Sequence, residues 1–132
     1  MKITADTNVL LRDALRDDSH QARVAAKTLQ TAELVAIPIS VLCEFVWVLR
    51  QGYKKPASEI AQALRTLLGS TNVKTDFPAA EAGLRVLEAG GDFADGVIAY
   101  EGEWLGAEEL VSFDKQAVLL LRIQRKRARL LA

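Results

Sequence analysis

Glu44 stands in the segment ISVLCEFVWVL, residues 39–49, whose other members are apolar or small. The residues three and four positions away carry no positive charge, so no neighbour on the same helix can neutralise this carboxylate. In a helical projection of this segment, apolar residues lie on every side, which predicts a helix that is buried on most sides. A buried carboxylate needs a cation, so we expect a distant Arg or a bound ion to compensate Glu44.

Four aspartates occupy positions that suit ligand binding. Asp6 follows the first predicted strand and Asp114 follows the fourth. Open α/β sheets place their ligand crevices at the carboxyl ends of such parallel strands. Asp95 lies on the predicted helix that begins at Asp92, and it has no cation three or four residues away. Its side of the helix also carries small residues, which would let another backbone approach closely: Ala99, Gly102 and Gly106.

Each acid also has a purely structural interpretation. Asp6, Asp92 and Asp114 stand where a helix N-cap is wanted, and an Asp in such a place is more often a cap than a ligand. Asp95 would favour the positive end of its helix, and Glu44 could pair with a distant Arg. The structural interpretations require a separate reason for each acid. A single divalent cation, bound by these acids together, would account for the positions of all of them.

The elements that position these acids alternate along the chain. Strands are predicted at residues 2–5, 34–37, 71–75, 109–113 and 128–132. A pair of helices is predicted within residues 9–31, with Ser19 as the cap between them. A third helix is predicted from the N-cap Ser40 towards Gly52. Further helices are predicted from Ser58 to Gly69, from Asp76 to Gly90, from Asp92 onwards, and at residues 114–123. The alternation predicts a three-layer α/β/α domain with a mostly parallel sheet of four or five strands, formed by residues 1–132 as a single domain.

Composition narrows the functional classes. The 132 residues include seventeen basic and seventeen acidic side chains, so a nucleic-acid contact would have to be a local patch. One histidine, His20, and one cysteine, Cys43, nearly exclude a zinc site and exclude an internal disulfide. The N-terminus has no apolar run of signal-peptide length, and no apolar stretch is long enough to span a bilayer. A reducing, cytosolic setting fits this composition.

Four motifs of the sequence are ADTNVLLR, PISVLCEFVWVLR, DFADGVIA and LVSFDK. By their order and their intervals, these motifs resemble the PIN domain, and most closely the VapC toxins of bacterial toxin–antitoxin pairs. The resemblance covers essentially the whole chain and implies that the family's acidic quartet falls on Asp6, Glu44, Asp95 and Asp114. It makes Asp92 an accessory acid. It also matches polar positions beside the acids to three further residues: Thr7, Asn8 and Ser112.

The resemblance implies a metal-dependent endoribonuclease of the bacterial cytoplasm. Carboxylate oxygens suit Mg²⁺ or Mn²⁺, and such an ion would activate water to hydrolyse the phosphodiester bond. The implied substrate is RNA of the translation machinery. The implied partners are a cognate VapB-like antitoxin and a second copy of the chain, in a homodimer formed through residues 47–55 and the helix from Ser58, with Tyr53 at the contact.

Substrate contacts and rival functions leave alternatives open. Five basic residues near the C-terminus could contact phosphates of the substrate: Arg122, Arg125, Lys126, Arg127 and Arg129. Such a cluster is more often a solvent-exposed charged segment that binds nothing. Trp47 and Trp104 could stack on bases, although their helical spacing favours core packing. The alternative function is a non-catalytic PIN-like module or a receiver-like signalling module. A receiver needs adjacent acids after its first strand, whereas Asp6 is followed by Thr7.

Overall fold

The computed structural model describes residues 1–132, and the chain divides into two compact units, Met1–Phe77 and Pro78–Ala132. Both units are α/β, with every strand pairing parallel. The α/β class predicted from the sequence is therefore confirmed. The five strands form one sheet of three and one of two. The single domain stays a prediction.

The first unit contains three strands and four α-helices in alternation. Its elements are β1 (Lys2–Thr4), α1 (Thr7–Leu15), α2 (Ser19–Thr31), β2 (Leu34–Ala36), α3 (Ile39–Trp47), a π-helical turn (Val48–Gly52), α4 (Ala57–Leu68) and β3 (Val73–Lys74). The strand order is β1-β2-β3, and Val35 of the central strand lies opposite Ile3 on one side and Val73 on the other. The carboxyl ends of all three strands therefore point the same way.

The core of the first unit forms around the central strand. Val35 is fully buried, and α3 and α4 contribute side chains that are at most 2% exposed: Leu42, Phe45, Ile60 and Leu64. Burying each of these large side chains contributes about 1.5–3 kcal/mol, which holds α3 and α4 in place. Helix α4 ends at Gly69, as its sequence predicts.

Two predicted caps are wrong. Helix α2 is capped by Asp18, whose Oδ1 accepts from the Gln21 N–H at 3.0 Å, and Ser19 is its first helical residue. Helix α3 begins directly after Pro38, and Ser40 lies inside the helix. Proline fixes φ near the value that a helix start requires and has no N–H to leave unsatisfied, so it can begin a helix without a side-chain cap.

The second unit contains three helices and two strands. They are α5 (Phe77–Glu88, whose first residue belongs to the first unit), α6 (Phe93–Trp104), β4 (Leu110–Ser112), α7 (Lys115–Ile123) and β5 (Ala128–Leu130). The last strand forms despite the basic segment before it, and Arg129 lies opposite Val111 of β4. The sheet packs on a small core formed by Val86, Val118, Leu121 and Ala128.

Helices α5 and α6 approach each other closely at two glycines. A Cβ on Gly96 would lie 2.2 Å from the Ala82 carbonyl oxygen, and one on Gly83 would lie 2.6 Å from the Phe93 ring. The close approach predicted at Gly102 and Gly106 is wrong, because a Cβ there would meet nothing closer than 4.0 Å. The backbone contact thus lies directly beside Asp95, in the first turn of α6.

Both tryptophans lie on the surface, which contradicts the predicted core packing. Trp47 is 62% exposed and Trp104 is 75% exposed. On α6, Phe93 and Val97 are buried as the apolar stripe predicts, but the stripe reaches solvent at the end of the helix. None of the helices combines the length and apolar character needed to cross a bilayer.

Candidate active site

Asp6 lies where β1 passes into α1. The Ala5 N–H donates to the Ala36 carbonyl oxygen at 3.0 Å, which holds the end of β1 against β2. Asp6 then caps α1, and its Oδ1 accepts from the Val9 N–H at 3.1 Å. The carboxylate is exposed, and Oδ2 lies outside the capping bond. Asp6 is therefore both a helix cap and an acid available to a ligand.

The two polar residues after Asp6 have different surroundings. Thr7, the first residue of α1, is only 9% exposed, whereas Asn8 is exposed. Thr7 thus packs into the start of α1 beneath the acid. Asn8 presents its amide to solvent next to Asp6.

Glu44 is exposed, which corrects the predicted burial. Helix α3 turns Leu42, Phe45 and Val46 inward. Its outer side is a stripe of exposed residues at helical spacing: Ser40, Glu44, Trp47 and Gln51. No ion pair within the chain involves Glu44. An exposed carboxylate needs no buried partner, so the interpretation as half of a buried ion pair is wrong.

Asp92 and Asp95 share the first turn of α6. Asp92 caps the helix, and its Oδ1 accepts from the Ala94 N–H at 3.2 Å. Asp95 is half-buried, and its pKa is raised to about 6, chiefly by burial and further by the negative charges of Asp92 and Asp114. Burial disfavours the ionised carboxylate, and each neighbouring negative charge adds to that effect. Asp92 and Asp114 therefore each lie close enough to Asp95 to repel its negative charge.

Asp114 is held by two sets of hydrogen bonds. Its Oδ1 accepts from the N–H groups of Gln116 and Ala117, at 2.9 and 3.1 Å, and so caps α7. Its own N–H donates to the Ser112 Oγ at 2.9 Å. Ser112, predicted as an accessory residue, thus fixes the backbone that carries Asp114.

Two further features position the acids and were missed from the sequence. Gly90 has a φ of 98°, and a Cβ on Gly91 would lie 2.4 Å from the Leu120 side chain, so the turn before Asp92 packs tightly on α7. The Gln116 side chain donates to the Gly90 carbonyl oxygen at 3.4 Å. The dipeptide Gly90–Gly91 was a usable signal of such a turn, whereas nothing in the sequence marked Gln116.

The donor set fits a hard divalent cation. All the candidate ligands are carboxylates, which suit Mg²⁺ or Mn²⁺, and a cation would offset the repulsion that Asp92 and Asp114 add to the effect of burial on Asp95. Neither unit brings three or more His, Cys, Asp or Glu side chains into an arrangement that could hold a metal ion. The caps explain part of this, because Asp92 and Asp114 turn Oδ1 towards the N–H groups of their own helices.

The basic residues near the C-terminus are mostly engaged within the second unit. Lys126 pairs with Glu103 at 3.3 Å, Arg129 pairs with Glu109 at 2.8 Å, and the Arg122 Nε donates to the Ala128 carbonyl oxygen at 2.8 Å. Arg125 has a φ of 64° and forms the turn between α7 and β5. Arg127 is exposed. These bonds support a role in holding β5 more than a role in binding phosphate.

One groove of the first unit is lined by none of the candidate acids. It has a volume of about 970 Å³, and its lining includes Leu10, Phe45, Leu67 and Asn72 but neither Asp6 nor Glu44. The side chain of Asn72 closes one side of it by donating to the Leu29 and Ala32 carbonyl oxygens. The chemistry of the carboxylates, rather than the size of a groove, therefore identifies the candidate active site.

Comparison with known families finds a match over most of the chain. The sequence model of the PIN domain matches residues 3–125, a range that includes all five candidate acids. PIN domains are generally metal-dependent nucleases, and they usually bind divalent metals. Among curated proteins, none matches the chain.

Proposed function

The chain belongs to the PIN domain family, and from that membership we propose that it is an endoribonuclease that depends on Mg²⁺ or Mn²⁺. The proposal narrows the nuclease activity of the family to the hydrolysis of RNA. The residues that would hold the cation are Asp6, Glu44, Asp95 and Asp114, with Asp92 as an accessory acid. When bound, the cation supplies Lewis acidity towards the phosphodiester and lowers the pKa of water.

The chain's own residues position and charge the site. The caps at Asp6 and Asp114 fix each carboxylate at the start of a helix, and Ser112 fixes the backbone of Asp114. The N-terminal ends of α1 and α7 also favour negative charge there, which keeps these carboxylates available as ligands. The close packing of α6 on α5 at Gly96 holds Asp95 in a half-buried place, where water is partly excluded.

The electrostatics of Asp95 carry the proposal. The pKa of this carboxyl is raised to about 6, chiefly by burial and further by two neighbouring acids, so its surroundings disfavour the ionised form. Structural acids are usually stabilised by a cation or by N–H groups, and an accumulation of mutually repelling acids is typical of a functional site. No observation favours the alternative of a binding or receiver-like module.

The physiological setting that we propose is a toxin–antitoxin pair of the VapBC type. An endoribonuclease acting on RNA of the translation machinery in the bacterial cytoplasm would arrest growth, so a cognate antitoxin is needed to inhibit it. A basic side chain of that partner would neutralise the acids and compete with the cation by charge. Co-expression tests the partner, because growth should stop with the chain alone and recover with the antitoxin. A homodimer stays a prediction, to be tested by sedimentation.

A pair of capping aspartates provides the test of the nuclease. Asp6 caps α1 and Asp18 caps α2 in the same way, through Oδ1 and the N–H three residues later, at 3.1 and 3.0 Å. Asn is as good a cap as Asp, so Asp6→Asn and Asp18→Asn should both fold as the parent does. We expect the parent and Asp18→Asn to cleave single-stranded RNA with Mg²⁺ or Mn²⁺. Asp6→Asn should lose cleavage by at least about a hundredfold.

Two results would contradict the proposal. Cleavage by the parent that persists in excess EDTA would exclude a metal-dependent reaction. Equal activity of Asp6→Asn and Asp18→Asn would exclude Asp6 as a ligand. Replacing Mg²⁺ by Ca²⁺ should lower the rate, since Ca²⁺ does not impose the tight octahedral geometry that in-line phosphoryl chemistry favours.

A further inference from the structure

Helix α3 leads from a candidate catalytic acid to an exposed surface of aromatic and basic residues. We name it the Trp47 surface and define it as Trp47, Tyr53, Lys54 and Lys55. Trp47 follows Glu44 by three residues on the outer stripe of the helix, which places it about one turn, or about 5 Å, along the axis from that acid. All four members are exposed, and Trp47 and Tyr53 are 62% and 42% exposed.

The indole of Trp47 makes little contribution to the core of the first unit. Large aromatic side chains contribute strongly to stability when they are buried, so leaving most of an indole in water forgoes that contribution. Leu42, Phe45 and Val46 already fill the inner face of α3, and the fold makes no use of the Trp47 ring there. The exposed ring is available to stack on a planar group such as a nucleobase.

Three basic residues follow Trp47 along the chain, and Glu44 precedes it by about one helical turn. Residues 45–58 contain Arg50, Lys54 and Lys55 and no acid. None of these three takes part in an ion pair. A local positive patch of this kind attracts a polyanion even though the chain as a whole has no net charge. This segment therefore differs from the basic C-terminus, where Lys126 and Arg129 have acidic partners.

The backbone that carries these side chains is fixed. The Tyr53 N–H donates to the Val48 carbonyl oxygen at 3.2 Å, and the Lys55 N–H donates to the Leu49 carbonyl oxygen at 2.9 Å. Lys54 between them has a φ of 54°, a left-handed conformation that a non-glycine residue adopts only when its neighbours hold it there. The Tyr53 hydroxyl also accepts from the Arg12 Nη2 at 3.3 Å. The surface is thus preorganised, which lowers the entropy lost on binding.

We propose that the Trp47 surface is a binding site for single-stranded RNA, in which Trp47 stacks on a base of the substrate and Lys54 and Lys55 contact backbone phosphates. This inference rests on the proposed nuclease function and adds to it the element that holds the substrate. The position of Trp47 next to Glu44 implies that the stacked base belongs to a nucleotide near the scissile phosphate. Stacking is tolerant of base identity, so the surface would contribute affinity rather than sequence specificity.

A second copy of the chain is a less suitable occupant. A twofold interface is formed by the same patch on both subunits, so it would bring two sets of Lys54 and Lys55 towards each other. Like charges at an interface oppose association, and the exposed acids nearest in the sequence are Glu44 and Glu59. The dimer contact expected for residues 47–55 stays a prediction, whereas the exposed Lys54 and Lys55 are complementary to RNA.

Binding measured without cleavage tests the proposal. The probe is a fluorescein-labelled single-stranded RNA of mixed sequence, about 12 nucleotides long, with the full chain in EDTA, and the readout is fluorescence anisotropy. Trp47→Ala should weaken binding by at least about fivefold, and Trp47→Phe, which keeps a stacking ring, should restore most of the affinity. Trp104→Ala is the control, because Trp104 is also exposed, at 75%, but lies at the end of α6, and this variant should bind as the parent does.

Salt dependence tests the phosphate contacts. Lys54→Ala and Lys55→Ala should each reduce the slope of log affinity against log salt by about 0.7. The proposal is overturned if Trp47→Ala binds RNA as the parent does, or if Trp47→Ala and Trp104→Ala lose affinity equally. It is also overturned if Trp47→Ala dissociates a dimer in sedimentation, because the surface is then a subunit interface. Cleavage by the parent, measured separately with Mn²⁺, decides whether the nuclease function itself stands.

Discussion

Asp6, Asp92 and Asp114 each accept helix N–H groups with a single oxygen atom, Oδ1. Capping and ligand binding are usually weighed as alternatives for such an aspartate. In this fold they are compatible, since the cap fixes the carboxylate and Oδ2 lies outside the capping bond. The helix terminus also favours the negative charge that a cation needs. An aspartate at the end of a strand and the start of a helix can therefore serve both roles.

Asp95→Asn should stabilise the chain at neutral pH in EDTA. Because the pKa of Asp95 in the fold, about 6, is above its unfolded value, the folded state holds this proton more tightly. Its contribution to stability is present below about pH 4 and is lost as the pH rises through about 6. A fully buried group would give about 3 kcal/mol, and solvent screening of the half-buried Asp95 reduces the expected gain to about 1 kcal/mol.

Chemical denaturation of both proteins at several pH values measures this effect. The difference in unfolding free energy between Asp95→Asn and the parent should be largest above about pH 6 and should vanish near pH 4. A constant difference across this range would mean that the amide changes packing rather than charge. Asp18→Asn, on the exposed cap of α2, should show no such pH dependence.

Glu44→Gln should leave stability within about 0.5 kcal/mol of the parent in EDTA, because Glu44 is exposed and makes no ion pair. RNA cleavage should nevertheless be lost. The adjacent Phe45→Ala provides the contrast, since Phe45 is 2% exposed and its removal should cost about 3–5 kcal/mol. Guanidinium unfolding measures both. A loss of more than about 2 kcal/mol in Glu44→Gln would identify a structural role for the carboxylate.

At the scale of elements, hydrophobic periodicity and turn residues were sufficient to predict every strand and helix and the parallel pairing. The caps of α2 and α3 were not predictable, because Asp18 and Ser19 are both good caps and Pro38 needs none. The exposure of Glu44 and Trp47 was not predictable either. Nearly every position around α3 is apolar, so the sequence does not indicate which face turns inward until the neighbouring elements are packed.

The crossing of α5 and α6 depends on Gly96. A Cβ there would lie 2.2 Å from a backbone carbonyl oxygen, which no side-chain rotation can relieve. We expect Gly96→Ala to destabilise the chain by at least about 3 kcal/mol and to displace Asp95. Gly102→Ala on the same helix meets only Ala107, at 4.0 Å, and should be neutral or stabilising by up to about 1 kcal/mol. Thermal melting compares the two.

The opposite order would contradict the packing of these helices. If Gly96→Ala melts at or above the temperature of the parent, α6 does not approach α5 as closely as the structure shows. If Gly102→Ala is the more destabilised variant, the predicted strip of Ala99, Gly102 and Gly106 is the contact instead.

At the scale of the whole molecule, the numbers of acidic and basic residues are equal, so the net charge is zero. Two regions nevertheless have local electrostatic fields of opposite sign. The negative field surrounds Asp95, and the positive field belongs to the Trp47 surface. A chain without net charge is not drawn to RNA from a distance, so its affinity depends on a few contacts. This arrangement suits the nuclease that we propose, which would bind a cation and a polyanion without attracting nucleic acid along its entire surface.

Binding of Mg²⁺ should stabilise the folded chain by mass action. At a concentration one hundred times the dissociation constant the gain is about 2.7 kcal/mol, which raises the melting temperature by on the order of 10 °C for a chain of this size. Calorimetry with and without Mg²⁺ measures it. The rise should be reduced in Glu44→Gln and Asp95→Asn and retained in Asp18→Asn. An equal rise in all four proteins would show that Mg²⁺ binds elsewhere.

The position of Trp47 also makes the molecule its own optical reporter. An indole in water emits at longer wavelength than a buried one, and its quantum yield responds to the groups around it. Trp47 lies about one helical turn from Glu44, whereas the only other emitter of this kind, Trp104, is at the far end of α6 from Asp95. With Trp104 replaced by Phe, paramagnetic Mn²⁺ held by Glu44 would quench the remaining emission. The occupancy of the acidic site could then be followed in real time, without RNA and without a label.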